Sequence, residues 1–187
     1  NPNMACTAKH FPGDGVEELD QHLVMGVNNL SVDEWEESFG KVYRTLIDEG
    51  LEAIMVGHIA LPEMSRKLVP GIEDKDIKPA TLSKELLTDL LREDMNFNGL
   101  VITDASHMVG MSATSKRCDA VPGAIIAGCD MFLFANDIAE DMAYVRKAYE
   151  DGLLTEERLE EAVRRILGMK AHLNLTDESV IIPDKKE

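Results

Sequence analysis

Basic residues are scarce in this sequence. Lysine and arginine together number 19 against 35 aspartates and glutamates, giving a formal net charge of −16. Binding to nucleic acid or to an anionic membrane needs basic patches, so neither partner is expected. Cysteine is equally sparse. Cys6, Cys118 and Cys129 are too few and too scattered for a disulfide framework or a zinc site, and each is expected as a buried free thiol. No apolar run approaches the ~20 residues of a membrane span, and no signal-like segment opens the sequence. A cytoplasmic setting is therefore expected, with secretion open if an upstream signal was removed. Histidines spaced as ligands on one helix face are missing, and no carboxylate cluster accompanies them, so no metal or other cofactor is expected. There is no internal repeat and no linker. What remains is 187 residues, 44% of them apolar, enough for one domain with a sizeable core.

The apolar residues fall into alternating short runs and helical stripes. Met4 to Ala8 reads as a first buried strand. Residues 11 to 30 lack helical periodicity and read as a long loop, a length that in compact domains usually carries function. Ser31 and Glu34 form a capping box, and Trp35, Phe39, Val42, Tyr43, Leu46 and Ile47 follow at helical spacing until Gly50. Ala53 to Val56 is a second strand, followed by a loop holding Pro62, Pro70 and Pro79. Thr81 to about Met95 is an amphipathic helix. Leu100 to Thr103 is a third strand, Ala120 to Gly128 a short helix, and Met131 to Phe134 a fourth strand. Two helices follow, about 138–150 and 156–170, the second capped by Thr155 with Leu159, Val163, Ile166 and Leu167 on its apolar face. The segment 176–187 reads as a loosely ordered tail.

Continuous apolar strands separated by amphipathic helices predict a parallel α/β sheet covered on both faces. Periodicity alone leaves a half barrel and a small doubly wound sheet both open. In either, the active site belongs at the carboxyl ends of the strands. Polar residues collect there: Lys9 and His10, His58, Asp104, then Asn136 with Asp137. Asp104 emerges where a carboxylate can attack a substrate carbon, or serves as an ordinary loop or cap aspartate. Asp20 and His22 form an Asp-x-His triplet, in which the carboxylate fixes the imidazole tautomer as a general acid/base requires; a solvated surface pair is the plain alternative. Lys9 and His10 offer donors to hydroxyl or carboxylate groups of a ligand, or pair structurally. His58 reads equally as ligand contact or strand-end packing. Met108 and Met111 line an apolar wall or fill core.

The stretch Lys9-His10-Phe11-Pro12-Gly13-x-Gly15, followed by Asp20-x-His22, resembles the signature of glycoside hydrolase family 3, in its β-N-acetylhexosaminidase branch. Val101-Ile102-Thr103-Asp104-Ala105 resembles the family's nucleophile strand. Residues 53–58, 127–131 and 161–167 resemble further parts of the same catalytic barrel. The resemblance runs over about residues 4–175 and implies the C-terminal half of a (β/α)8 TIM-type barrel with four parallel β/α units, in a partial catalytic domain spanning 1–175. It implies Asp104 as nucleophile, His22 as acid/base oriented by Asp20, and Lys9 and His10 as contacts to sugar hydroxyls, with His58 a further candidate contact.

The implied reaction is retaining removal of β-linked N-acetylglucosamine from cell-wall fragments or chitin-derived sugars. A histidine acid/base, unlike a carboxylate, is less repelled by phosphate, so phosphorolysis and a β-glucosidase specificity stay open. Position 14 is aspartate where the motif commonly has histidine, which bears on local loop contacts. The aspartate and arginine that the family's first barrel half supplies have no counterpart here, so the sequence is expected to be truncated, with its activity alone left open. A half barrel exposes two strand edges, and a homodimer or pairing with the missing half is expected.

Overall fold

A computed structural model describes residues 4–18, 20 and 22–175. The expected tail at 176–187 lies outside the described residues. Among the described residues there are six strands: β1 (Thr7–Phe11), β2 (Gly26–Val27), β3 (Ala53–Val56), β4 (Ile59–Ala60), β5 (Leu100–Ala105) and β6 (Met131–Leu133). The main sheet is parallel throughout, in the order β1-β3-β5-β6. Sequential parallel neighbours joined by helical crossovers are the β/α units expected from the alternating pattern. β2 and β4 make a separate two-stranded parallel pair.

The sheet packs on helices along one main core that includes Phe11, Trp35, Ile54, Leu86, Leu90 and Val101. The first helical stretch runs from Val32–Trp35 through a wider turn at Glu36–Gly40 into Lys41–Asp48. It begins at the expected capping box of Ser31 and Glu34. Phe11 meets Trp35 and Tyr43 edge-on, with ring centroids 6.5 and 5.2 Å apart, so this helix is seated directly on β1.

Several boundaries differ from the sequence reading. β1 starts later than expected and contains Lys9 and His10, because pairing with β3 resumes beyond them, at Phe11 and Val56. Pro62, read as part of a loop, instead opens the helix Pro62–Leu68, where the first turn needs no N–H from it. The helix expected from Thr81 begins later, at Glu85–Asp94, with the Ser83 hydroxyl accepting the Leu86 N–H at its start. Thr81 lies in a 3-10 turn, its hydroxyl 2.9 Å from both the Gly57 carbonyl and His58 Nδ1, just past the end of β3. Cys129 is buried as expected, but Cys6 and Cys118 are exposed. Cys6 precedes β1, and Cys118 lies in the first turn of Arg117–Ala127.

On the helix Glu156–His172, Leu159, Val163 and Leu167 are more than one-third exposed, because this stripe turns away from the core that holds Ala162. Val42 and Leu46 are likewise exposed on the side of their helix that flanks β1.

The underside of the sheet is closed by a charged cluster. Asp130, whose side chain is fully buried, pairs with Arg92 at 2.6 Å and Arg158 at 2.7 Å, with Arg165 at 3.5 Å. It also accepts the N–H of Val101 at 2.9 Å. The two closer guanidinium groups also donate to carbonyls, Arg92 to those of Phe97 and Gly99, Arg158 to those of Ile125 and Cys129. Burial lowers Arg92 to about 10 in spite of this pairing. Among the described residues, no helix is long and apolar enough to cross a membrane.

Candidate active site

Two bulges decide where the polar side chains go. On β1, Ala8 pairs with Ile54 and Phe11 with Val56, so Lys9 and His10 together stand against Met55 alone. On β5, Ile102 pairs with Met131 and Ala105 with Leu133, so Thr103 and Asp104 stand against Phe132. A bulge disrupts the ladder locally and re-aims a side chain. Thr103 repairs the break, its hydroxyl accepting the Leu133 N–H at 2.9 Å. The peptide bonds Lys9–His10 and Phe11–Pro12 are cis.

The structure brings His10 and Asp104 together at the carboxyl edge of the sheet. Nε2 of His10 is 3.5 Å from Oδ2 of Asp104, and Nδ1 is 3.0 Å from Oδ2 of Asp14. The other oxygen of Asp104 accepts the Ala105 N–H at 2.7 Å, leaving Oδ2 toward the histidine and the open end of the sheet. Lys9 is exposed, and with His10, Asp14, Phe39 and Tyr43 it lines a cavity of about 500 Å³. Burial, with a smaller contribution from nearby Asp14, pushes the Tyr43 hydroxyl well above its ordinary value, so it stays neutral.

Asp20 and His22 form a dyad as expected. Asp20 Oδ1 takes both the ring Nδ1–H of His22, at 2.7 Å, and its backbone N–H, at 2.9 Å. These two bonds hold the Asp20 carboxyl below its ordinary value, the backbone one contributing most. With Nδ1 engaged, Nε2 is the free nitrogen on a ring that is 69% exposed. The loop is tied at three places. Glu17 accepts the Val27 N–H at 2.6 Å, the Gly26 N–H reaches the His58 carbonyl, and the Val109 N–H reaches the His22 carbonyl at 3.3 Å. That last bond links the loop to the segment following β5, the strand of Asp104.

The sequence left His58 open between ligand contact and strand-end packing, and its surroundings in the structure are those of packing. It is fully buried, with Nε2 3.1 Å from the Ala105 carbonyl and Nδ1 2.9 Å from the Thr81 hydroxyl. A carbonyl only accepts, so Nε2 carries the hydrogen. Burial lowers the His58 pKa and keeps the ring neutral, against the smaller pull of Asp104 and the Ala105 bond. With both nitrogens engaged by protein atoms, His58 supports the residue beside Asp104 instead of meeting a ligand. Met108 and Met111 are buried and fill core. Asp137, read as a strand-end polar residue, caps the helix Ile138–Glu150 by accepting the N–H groups of Ala139 and Glu140.

Sequence reasoning connected Asp14 only with local loop contacts and did not anticipate its bond to His10 or the contacts of Thr81. The signal for Asp14 was its place four residues after His10, across a Pro-Gly turn that brings the chain back on itself. Among the described residues, no group of three or more His, Cys, Asp or Glu is placed to hold a metal ion.

Parallel β/α units that gather carboxylates and imidazoles at the carboxyl ends of their strands define the catalytic-domain architecture of β/α-barrel enzymes. Within that class the chain belongs to glycoside hydrolase family 3. The model of the glycosyl hydrolase family 3 N-terminal domain matches residues 1–169. A β-N-acetylglucosaminidase/β-glucosidase of Cellulomonas fimi is 54% identical over 172 residues, which are 92% of this chain and 30% of that protein. The solved β-glucoside phosphorylase BglX superposes with a TM-score of 0.93 at 47% identity, over 96% of this chain and 32% of that one. A family 3 β-N-acetylglucosaminidase from Paenibacillus sp. str. FPU-7 superposes with a TM-score of 0.84 at 26% identity, over 99% of this chain and 34% of its own. The chain thus spans about a third of the length of these relatives.

Proposed function

We propose that this chain carries the catalytic groups of a retaining glycosidase that removes β-linked N-acetylglucosamine. Asp104 is the nucleophile, His22 the acid/base and Asp20 its orienting carboxylate; Lys9 and His10 contact sugar hydroxyls. The observation that carries the proposal is the exposed Asp20–His22 dyad on a loop hydrogen-bonded to the segment after the Asp104 strand.

In the first step a carboxylate oxygen of Asp104 bonds to the anomeric carbon as the bond to the leaving oxygen breaks. Nε2–H of His22 protonates that oxygen. In the second step His22 takes a proton from water, the water oxygen bonds to the anomeric carbon, and the Asp104 ester bond breaks. Retention follows from two successive displacements.

A second reading, β-glucoside specificity with phosphate as acceptor, is favoured by the likeness to a β-glucoside phosphorylase at 47% identity and to a dual-specificity enzyme at 54%. Electrostatics make it reasonable. Two like charges 4 Å apart repel by about 4 kcal/mol at an effective dielectric of 20. An imidazole base spares an incoming phosphate that repulsion at the nearest group.

The test uses the full-length natural protein with nitrophenyl N-acetyl-β-glucosaminide and nitrophenyl β-glucoside, with and without phosphate. Preferred turnover of the first supports the hexosaminidase reading, and preference for the second removes it. A sugar phosphate product establishes phosphorolysis. His22→Ala should lower the rate by about 10²–10⁴. Asp104→Ala should leave only background; an unchanged rate would refute the nucleophile assignment.

A further inference from the structure

Asp14 stands behind His10, on the side of the ring away from Asp104. The three groups lie in sequence, with Oδ2 of Asp14 3.0 Å from Nδ1 and Nε2 3.5 Å from Oδ2 of Asp104. An ionised carboxylate can only accept, so the bond to Asp14 places a hydrogen on Nδ1. Nε2 is then the nitrogen presented to Asp104 and to the space above it.

The turn that delivers Asp14 is held rigidly. Gly13 N–H donates to the His10 carbonyl at 2.9 Å, closing the chain back on the ring. The Pro12 carbonyl accepts the indole N–H of buried Trp35 at 2.7 Å, and the Gly13 carbonyl accepts the side-chain amide of buried Asn28 at 3.2 Å. Gly13 has φ +139°, and a Cβ there would lie 2.5 Å from the Phe39 ring. The loop is pinned from two directions and pressed onto a helix, and Asp14 is the side chain it turns toward His10.

We propose that Asp14 is a positioning residue for the reaction: it fixes the tautomer and aim of His10, and through it the setting of Asp104 and the sugar hydroxyl that His10 meets. The proposal rests on the reading of Asp104 as nucleophile and His10 as sugar contact. The 3.5 Å gap between Nε2 and Asp104 exceeds an ordinary hydrogen bond. Asp104 therefore does not itself hold the ring, and the aim is kept from behind. Outer carboxylates that orient an imidazole at metal sites typically matter by about 10–100-fold, and a similar effect is expected here.

The test compares wild type, Asp14→Ala and Asp14→Asn in the full-length natural protein, using whichever nitrophenyl glycoside the wild type turns over. Asp14→Ala should lower kcat/KM by about 10–100-fold, with an unchanged unfolding temperature. Added formate should recover much of that loss, because Asp14 is 44% exposed and its vacated site is open to solvent. Asp14→Asn keeps one acceptor oxygen, so it should lose less and gain nothing from formate. Should Ala disturb folding, Asp14→Ser leaves the same room for formate.

Wild-type activity in Asp14→Ala overturns the proposal. So does a folded but impaired Asp14→Ala that formate leaves unchanged. A 2-fluoro glycoside with peptide mass spectrometry separates the two levels. A label on Asp104 with an indifferent Asp14 defeats only this inference, whereas a label elsewhere defeats the nucleophile assignment beneath it.

Discussion

His10 Nε2 and Asp104 Oδ2 stand 3.5 Å apart although their strands are not neighbours. Adjacent strands lie about 4.8 Å apart, so β1 and β5 are separated by roughly twice that, with β3 between them. The side chains meet over the end of β3, at Gly57. A Cβ on Gly57 would lie 3.1 Å from the His10 Cβ and 3.0 Å from Cδ1 of Ile59. Only glycine leaves that crossing unobstructed.

Gly57→Ala should therefore push His10 out of line while leaving the sheet folded. The contacts ask their neighbours to give by a few tenths of an ångström, short of the misplacement of about 1 Å that can lower a rate by as much as 10², so a smaller loss of kcat/KM is expected. The rate of Asp104 labelling by a 2-fluoro glycoside, alongside the unfolding temperature, checks it. Full labelling speed would show that His10 tolerates the added methyl group.

The buried His58 gives a pH dependence with a definite sign. Its folded pKa lies below the ordinary 6.5 because burial disfavours the charged ring. The unfolded chain then binds the proton more readily, so stability is full above 6.5 and declines as pH falls from there through the folded value. Thermal unfolding on both sides of 6.5 should show this decline in the wild type and a smaller one in His58→Asn. Parallel curves for the two proteins would remove His58 as the source.

Asp130 is the fully buried carboxylate among three arginines, two of which, Arg158 and Arg165, also pair with the more exposed Glu161. Asp130→Ala leaves Arg92 without its carboxylate partner, Arg158 and Arg165 with Glu161 alone, and the Val101 N–H without its acceptor. Breaking a buried pair from one side costs about 3–5 kcal/mol, and a loss of that order is expected in denaturant unfolding. A much smaller loss would mean that solvent enters the cluster freely.

β1 and β6 bound the main sheet, and Val42, Leu46, Met131, Phe134 and Ile138 are exposed near its two sides. The chain prepared by itself should bind a hydrophobic dye and associate, either as a homodimer or with further β/α units. Gel filtration with dye fluorescence measures both. A stable, dye-silent monomer would contradict the expectation.

Much of this was legible in the sequence. The four main strands follow from continuous apolar runs such as Leu100-Val101-Ile102, and the cap at Ser31 from its partner Glu34. The dyad was readable because Asp20 and His22 lie two residues apart and meet through a local bond. His58 was ambiguous because a strand-end histidine looks the same in sequence whether it faces solvent or Thr81, and that choice is made by a residue 23 positions away. The importance of Asp14 was hidden for a similar reason. A turn motif reveals that the chain reverses, but not which side chain it carries back to the ring. Proline misled at Pro62, where a residue that breaks helices also begins them.

The bulge on β5 makes the placing of Asp104 a matter of counting. Thr103 and Asp104 together face the single residue Phe132. Delete Thr103, and one residue faces one residue: the ladder becomes regular, and the side-chain alternation behind it changes phase. The shortened strand would pair more evenly with its neighbour while losing the offset that aims its carboxylate. At this edge of the sheet, one supernumerary residue separates a better-formed strand from a working one.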